Sequence, residues 1–296
     1  MGTRAPAAWI GRIDAGRGDG TRWNGDQYGY VKQQQLRHIR ASRLISAFSS
    51  LHFSRNHTMQ VVSVVLLLLA PVLIRCQVVL PLDCSDIYHQ DTSRPSGVYT
   101  IFPIGPTSAT QVYCDMTTLG GKWTVIQRRM DGTVSFYRSW DHYRTGFGNA
   151  AGEYWLGLEN LFRMGNMQRY ELLVDMEDWS GKKVFARYSK FTVGVESSGY
   201  KLFVSGFTDG GAGDSLSYSN GQKFSTMDRD QDSWSGHCAR KYLGGFWYKA
   251  CHKANPNGIY RWGADKTLFA IGVEWSSWKG HDYSLKTISM KIRPLQ

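Results

Sequence analysis

The stretch that decides the fold is residues 114–129, which read CDMTTLGGKWTVIQRR. From Lys122 to Val125 polar and apolar residues alternate, and this period of two predicts a strand with one buried face. We place this strand in a second block of the folded part, after the segment that ends at Cys114.

The segment before this strand, residues 82–114, has short apolar stretches between turn signals. Val98–Phe102 is the clearest apolar stretch, and Ser96-Gly97 and Gly105-Pro106 are the turns around it. This pattern predicts short strands joined by tight turns. With a cysteine near each end, the segment is predicted to be a small disulfide-closed unit.

The segment after the strand predicts one helix and several further strands. Apolar residues recur at helical spacing over residues 154–162, while residues 170–176 and 184–193 have strand character. The apolar residues on the predicted helical face are Trp155, Leu158, Leu161 and Phe162. At residues 288–292, three apolar residues alternate with polar ones and predict a half-buried strand that returns to the sheet. The fold class is therefore expected to be α+β, with a central mixed sheet.

From about Asp209 the pattern thins into Gly, Asp, Ser and Asn with isolated aromatic residues. Such a stretch can be ordered only if something other than a backbone ladder holds it. The second pair of cysteines, Cys238 and Cys251, and a bound cation are the candidates.

The charge distribution argues against nucleic-acid binding. The chain has 296 residues, of which 42% are apolar and 14% aromatic, enough for a sizeable core. Its formal net charge is +11, but residues 1–58 hold nine Lys or Arg residues against three Asp. The remainder has interspersed charges and no basic stripe or RNA-binding aromatic motif, so nucleic acid is not expected as a partner.

A secretory signal is predicted ahead of the folded part. Residues 61–74 form a run of fourteen uncharged, largely apolar residues, short of the ~20 that a membrane-spanning helix needs. Met59 precedes the run, so we expect a signal peptide at residues 59–76, no membrane span and a mature chain from residue 77. A buried helix and a type II membrane anchor are the alternatives. Residues 1–58 lack sustained periodicity and are expected to be a disordered or non-native extension.

The five cysteines predict two bridges and one spare thiol, as is typical of secreted proteins with an odd count. Proximity in sequence suggests the pairs Cys84–Cys114 and Cys238–Cys251. By the loop-entropy model each bridge stabilises the fold by on the order of 3 kcal/mol, the second somewhat less. Cys76 remains, and it is either removed with the signal or free to form an interchain bridge.

Asp228, Asp230 and Asp232 alternate along the polar run 228–236. Carboxylates this close repel one another unless a hard cation lies between them, and Ca²⁺ takes six to eight oxygen ligands. An EF-hand is excluded, because the sixth and twelfth positions lack the glycine and the glutamate that it requires. The run predicts either another kind of calcium loop or a solvated acidic turn.

Enzyme motifs are absent from the sequence. There is no nucleophile elbow, zinc-protease motif, dinucleotide fingerprint or phosphate-binding loop. Asp230 and Asp232 are near neighbours on one loop, whereas a glycosidase places its two carboxyl groups on opposite sides of the sugar. His237 and His252 lack an evident nucleophile in their sequence context. We therefore expect that the chain is not an enzyme.

Several motifs together resemble the fibrinogen C-terminal family. Besides residues 114–129, they are Gly152–Leu158, Gly213–Leu216, Phe246–Tyr248 ahead of Cys251-His252, Asn257-Gly258, Trp275–Gly280 and Met290–Pro294. The resemblance covers about residues 82–296. It implies a fibrinogen-like C-terminal globular domain at residues 77–296, with a loop-rich region that binds calcium and a ligand.

The resemblance also implies a calcium site. Its ligands would be the side chains of Asp230 and Asp232 and the backbone carbonyls of Trp234 and Gly236. A neighbouring pocket, held by the second disulfide bond, takes N-acetyl groups in lectin-like members and a peptide N-terminus in fibrinogen. The resemblance therefore makes Ca²⁺ the expected cofactor.

The pocket positions that match are Tyr242, Ala250, Cys251, His252 and Phe269. The resemblance implies a cis peptide bond between residues 250 and 251, which would cost about 3–4 kcal/mol and would point backbone N–H groups into the pocket. Phe269 stands where acetyl-binding relatives have a tyrosine. A methyl group can still pack on its ring, but a hydroxyl donor is missing.

Two functional hypotheses follow. The first is a secreted, calcium-dependent recognition protein of the extracellular matrix or of innate immunity, which binds acetylated glycans or microfibril components. It would act as a disulfide-linked homo-oligomer, because multivalency compensates for weak single sites. The second is a structural matrix adhesion protein of elastic fibres with no lectin activity. Calcium dependence of binding distinguishes the two.

Overall fold

The computed structural model describes residues 79–264 and 267–295. The predicted signal peptide at residues 59–76, the extension at residues 1–58 and Cys76 all lie outside these ranges. Within the described ranges, no helix has both the length and the apolar character needed to cross a membrane.

The described part of the chain combines short helices with a large sheet. The helices are α1 (Cys84–Gln90), α2 (Trp140–Thr145), α3 (Leu158–Met167), α4 (Cys238–Lys241) and α5 (Ser276–Lys279). The strands are β1 (Gly97–Ile101), β2 (Thr110–Asp115), β3 (Trp123–Arg129), β4 (Phe147–Gly148), β5 (Tyr154–Trp155), β6 (Tyr170–Glu177), β7 (Lys183–Val193), β8 (Leu202–Gly210), β9 (Ala254–Asn255), β10 (Gly263–Ala264), β11 (Glu274–Trp275), β12 (Tyr283–Ser284) and β13 (Thr287–Pro294). Short 3₁₀ turns lie at Thr118–Gly120, Glu196–Ser198 and Ser217–Ser219.

The main sheet has the strand order β1-β2-β3-β13-β6-β7-β8, and the hairpin β4-β5 joins it through β3. The predicted α+β fold is confirmed, with one difference: the sheet was expected to be mixed, but each of its ladders is antiparallel. Most neighbouring strands of the sheet follow one another along the chain and are joined by turns, and such connections produce antiparallel pairs.

The C-terminal strand β13 lies in the middle of this sheet, between β3 and β6. Its apolar alternation was predicted, and the return to the sheet is confirmed. The strand is more deeply buried than expected, because the polar residues of its other face are covered as well. Lys291 is 4% exposed, and its Nζ lies 2.7 Å from Asp115 and 2.8 Å from Asp175.

The predicted N-terminal unit forms the edge of the main sheet. The Cys84–Cys114 bond connects α1 to β2 and confirms the first predicted pair. Asp83 caps α1 by accepting from the N–H groups of Ser85 and Asp86, and its other carboxylate oxygen accepts from the hydroxyl of Tyr170 at 2.8 Å. These bonds anchor the start of the domain to β6.

One element differs from its prediction. The expected helix at residues 154–162 begins only at Leu158, and Trp155 lies in β5 instead. Trp155 pairs with Gln127 of β3, and Gly157 takes a φ of +105° between the strand and the helix. The sheet pairing therefore overrides the helical spacing of the first residues.

Residues 211–286 form the loop-rich region, in which elements are two to four residues long. A cluster of buried rings fastens it to the sheet, with Phe224 and Trp247 at 5.1 Å and Trp155 and Phe224 at 5.8 Å between centroids. Buried amides add to this: Asn257 donates to the carbonyl of Gly245 and accepts from the side chain of Gln127. Aromatic packing and satisfied amides thus hold this region together with the disulfide bond.

Candidate calcium and ligand site

The carboxylates of Asp230 and Asp232 come together on the loop that precedes α4. Ligand atoms of Asp230, Asp232 and His237 all lie within 4.8 Å of one another. None of the ion pairs among the described residues includes Asp230 or Asp232. Two neighbouring carboxylates outside these ion pairs supply part of the set of oxygen ligands that a hard cation such as Ca²⁺ takes.

Burial raises the pKa of Asp232, and the adjacent Asp230 raises it further. Both effects disfavour a second negative charge beside Asp230, and a cation between the two carboxylates would offset them. The residues present therefore fit a calcium ion.

Asp228, the third carboxylate of the run, has a different role. Its Oδ1 accepts from the backbone N–H of Trp140 at 2.8 Å and from the hydroxyl of Thr226 at 2.7 Å. Partial burial favours its neutral form, but these hydrogen bonds outweigh that effect and lower its pKa. Asp228 thus fastens the loop to the start of α2 and is not aimed at the other two carboxylates.

The backbone around Trp234 and Gly236 is tightly folded. Trp234 donates its N–H to Oδ1 of Asp232 at 3.0 Å. Its ring lies against Gly236, where an added Cβ would approach the indole to 2.4 Å, so any larger residue there would displace the ring. Trp234 and Gly236 therefore lie on the same compact loop as the two aspartates, and ligation by their carbonyls stays a prediction.

The second predicted disulfide bond, Cys238–Cys251, is present and links this loop to the pocket segment. Oδ2 of Asp232 accepts from the N–H of Cys238 at 2.9 Å, and Ser233 donates to the carbonyl of Lys249 at 3.0 Å. A displacement of the aspartates therefore acts directly on residues 249–252.

Tyr242 and His252, two predicted pocket residues, lie edge to face with ring centroids 4.6 Å apart. Cys251 and His252 are buried, whereas Ala250 is exposed at the tip of the turn. The amide of Asn255 donates to the carbonyl of Tyr242 and its oxygen accepts from the hydroxyl of Tyr248, which fixes the backbone beneath the two rings. Four of the five predicted pocket residues are thus gathered at one place.

The expected cis bond between residues 250 and 251 is wrong, since no peptide bond in the described part of the chain is cis. Cys251 adopts a φ of +47° instead, and Lys249 donates its N–H to the carbonyl of Cys251 at 2.8 Å. The turn at residues 249–251 is thus closed by a left-handed residue and a backbone hydrogen bond, with the 250–251 peptide bond in trans.

Phe269, the fifth predicted residue, is 61% exposed and contacts the others through a residue that the sequence did not single out. Its ring lies 5.5 Å from that of His281, which in turn lies 5.7 Å from the ring of His252. Glu274 was also missed, although its carboxylate within the apolar run 270–275 is a recognisable signal, because a buried carboxylate needs a partner.

With the geometry established, comparison with known proteins identifies the domain. The family model for the C-terminal globular domain of the fibrinogen beta and gamma chains matches residues 80–295. The chain belongs to this family. Fibrinogen C-terminal domains are non-catalytic binding domains that commonly bind calcium, so the chain is not an enzyme.

The similar proteins include known members of the fibrinogen C-terminal family. Microfibril-associated glycoprotein 4 from Bos taurus is 53% identical over 219 residues, which cover 72% of this chain and 85% of that protein. The sequences of Pro81–Cys84 and Asp228–Asp232 predict a likeness to this protein within the family, and the comparison confirms it. Fibrinogen C domain-containing protein 1-A from Xenopus laevis is 47% identical over 219 residues, 72% of this chain and 47% of that protein. Homology and disulfide bonds together indicate an extracellular protein.

Solved structures share the fibrinogen-like fold. The fibrinogen-like globe domain of human ANGPTL2 superposes with a TM-score of 0.70 at 46% identity, covering 72% of this chain and 99% of that domain. Lamprey fibrin D-dimer, in complex with the peptide Gly-His-Arg-Pro-amide, gives a TM-score of 0.68 at 28% identity over 92% of this chain and 94% of that one.

Proposed function

We propose that the chain is a secreted recognition protein of the extracellular matrix or of innate immunity that binds acetylated glycans through a calcium-supported pocket. The observation that carries this proposal is the connection between Asp232 and Cys238. Oδ2 of Asp232 accepts from the backbone N–H of Cys238, whose disulfide bond to Cys251 holds the pocket turn. A carboxylate oxygen of Asp230 lies within 4.8 Å of a carboxylate oxygen of Asp232. Calcium bound there would fix the turn at residues 249–252.

The composition of the pocket supports an acetyl ligand. Tyr242 and His252 present ring edges and faces against which a methyl group can pack, and Phe269 adds a further exposed ring. The Nζ of Lys241 lies 4.7 Å from the ring centroid of Trp234 and 5.4 Å from that of Tyr242, so one side chain spans the calcium loop and the pocket.

Secretion and assembly complete the proposal. Residues 59–76 are proposed to be a signal peptide, and a disulfide-linked homo-oligomer would use Cys76 if that residue remains in the mature chain. Weak single pockets gain avidity in an oligomer without any new contact.

The similarity to microfibril-associated glycoprotein 4 favours a second candidate, a structural adhesion protein of elastic fibres that binds microfibril components without lectin activity. The two candidates differ in their need for calcium. Only the first makes ligand binding depend on the aspartate loop.

Retention on an N-acetylated resin, in calcium and in EDTA, tests the proposal. We expect retention in calcium, elution by EDTA or free acetate, and an affinity reduced about tenfold or more in Asp232→Ala, because a charged calcium ligand is lost. Asp131→Ala is the matched control: Asp131 is exposed and accepts from the N–H two residues on, as Asp232 does, but lies on another loop.

The other outcomes also decide between ligands. Retention that is indifferent to EDTA and to Asp232→Ala would reject the calcium-supported pocket and favour the adhesion protein. Displacement by Gly-His-Arg-Pro-amide but not by acetate would indicate a peptide ligand, as in the lamprey fibrin complex.

A further inference from the structure

A second group of potential metal ligands lies outside the aspartate loop. Donor atoms of His252, Glu274 and His281 all come within 4.8 Å of one another. His252 follows the disulfide, Glu274 begins β11, and His281 lies in the turn before β12. Three separate segments of the loop-rich region thus bring two imidazoles and one carboxylate together.

His252 has a ring nitrogen, Nδ1, that can coordinate a metal ion. Its Nε2 lies 3.1 Å from the carbonyl of Ala270, and a carbonyl only accepts, so Nε2 carries the proton and Nδ1 does not. The ring is 8% exposed, yet Nδ1 has no hydrogen-bond partner among the described residues. Burial also lowers the pKa of His252 to about 3, which keeps the ring neutral. A neutral, buried imidazole with one nitrogen fixed by a carbonyl is the arrangement typical of metal-ligating histidines.

Glu274 is oriented in a similar way. It is 1% exposed, and its Oε1 accepts from the N–H of Gly272 at 3.1 Å. Its Oε2 therefore faces Nδ1 of His281 at 3.1 Å. The bonds to Ala270 and Gly272 both come from one short segment, so the same stretch of backbone orients His252 and Glu274.

We propose that His252, Glu274 and His281 form a binding site for a divalent transition-metal ion, with zinc as the best fit. Two imidazole nitrogens and one carboxylate oxygen suit zinc and its neighbours, whereas calcium prefers oxygen ligands alone. Tetrahedral zinc with bonds of about 2.1 Å needs ligand atoms about 3.4 Å apart. Nδ1 of His281 and Oε2 of Glu274 lie 3.1 Å apart, close to this distance, and the ligand atoms of all three residues lie within 4.8 Å of one another.

The site would keep one coordination position open. It has three protein ligands, and the side chain of His281 is 32% exposed while that of Glu274 is 1% exposed. Sites of three ligands with an open side exchange water for an external donor, in contrast to closed structural zinc sites. A small cavity of about 10 Å³ adjoins Glu274 and His281, which is room for one water molecule.

Calorimetric titration of the secreted product of the full chain, without an affinity tag that binds metal, tests the proposal. Zn²⁺ is added in excess Ca²⁺, so that the aspartate loop is saturated, and Co²⁺ absorption reports nitrogen ligation independently. We expect one tight site per chain in the wild type. His281→Phe should weaken it on the order of 100-fold, since loss of even an outer partner costs 10–100-fold.

The variants distinguish this site from the aspartate loop. Glu274→Gln keeps the shape of Glu274 and the acceptor for Gly272, and should weaken zinc binding as His281→Phe does. His237→Phe is the matched control, because His237 is the only histidine of the other candidate cluster. It should leave zinc affinity unchanged.

Equal zinc affinity in the wild type and in His281→Phe would overturn the proposal, as would loss of binding in His237→Phe alone. Thermal unfolding of each variant in EDTA shows whether it is folded. If His281→Phe does not fold, Glu274→Gln and the Co²⁺ spectrum of the wild type still test the proposal. Unchanged zinc affinity in Glu274→Gln, or a Co²⁺ spectrum without nitrogen ligation, would contradict it.

Discussion

The main sheet and the loop-rich region are stabilised in different ways. In the sheet, the long strands β1–β3, β6–β8 and β13 run for five to eleven residues and pair through backbone hydrogen bonds. Between residues 211 and 286, the strands among the described residues are two residues long. In this region, side-chain amides, aromatic rings and one disulfide bond hold the backbone in place, as the hydrogen-bonded ladders do in the main sheet.

This difference explains where binding groups can be placed. A ladder fixes many residues redundantly, whereas the pocket turn depends on a few single contacts, such as Asp232 to Cys238 and Ser233 to Lys249. Loops held on a rigid scaffold are where binding residues concentrate. We therefore expect substitutions in the sheet to affect stability and those in the loop-rich region to affect binding.

The largest effect is expected where the two regions meet, at Arg129. It is 1% exposed, donates to the carbonyls of Pro256 and Gly258, and lies 3.5 Å from Glu153. Arg129→Met leaves the carboxylate of Glu153 buried without its cation. We expect the free energy of unfolding, measured by urea denaturation, to fall by about 3–5 kcal/mol.

The control for this prediction is Arg163→Met. Arg163 forms an exposed ion pair with Glu159 one helical turn away, at 2.7 Å. Such pairs contribute about 0.5 kcal/mol. Comparable losses in the two variants would contradict the view that the buried Arg129 joins the sheet to the loop-rich region through the carbonyls of Pro256 and Gly258.

The two disulfide bonds allow the regions to be compared directly. Their cysteines are separated by 30 residues for Cys84–Cys114 and by 13 for Cys238–Cys251. Chain entropy predicts a loss of about 3 kcal/mol on replacing either pair with alanine. Only loss of Cys238–Cys251 should weaken calcium binding, because Asp232 is bonded to the backbone of Cys238.

Denaturation and calcium titration of both double variants test this prediction. If loss of Cys84–Cys114 lowered calcium affinity as much as loss of the other pair, the site would depend on global stability and not on the local connection.

The sheet was largely predictable because its signals are local. Residues 170–176 and 184–193 have strand character along their whole length, and they form most of β6 and β7. The disulfide pairs followed from proximity in sequence, and the site residues followed from family motifs. Trp155 was misplaced because pairing with β3, a long-range contact, decides its conformation.

The missing part of the site could not be derived from spacing. Glu274 lies near His252 because β11 pairs with β9, which places Glu274 opposite Asn255, and His281 comes close from a separate turn. Periodicity carries no information about such pairings. The buried carboxylate in an apolar run was the one available signal, and it indicates that a partner exists without identifying it.

The smallest effect on stability is expected at Phe269. A substitution there should change ligand affinity while leaving the free energy of unfolding almost unchanged. This ring is 61% exposed, so Phe269→Tyr should change the free energy of unfolding by less than about 0.5 kcal/mol. The added hydroxyl would give the proposed acetyl pocket a hydrogen-bond donor that phenylalanine lacks. One hydrogen bond of about 1 kcal/mol corresponds to about fivefold higher affinity for N-acetylglucosamine, measured by calorimetry in calcium.

Phe203→Tyr is the matched control, because Phe203 is 45% exposed on β8, in the sheet. It should alter neither stability nor affinity. Unchanged affinity in Phe269→Tyr, with binding still lost in Asp232→Ala, would place residue 269 outside the pocket. The ligand would then contact the rings of Tyr242 and His252, and calcium dependence would persist because the disulfide turn, and not the 269 segment, transmits it.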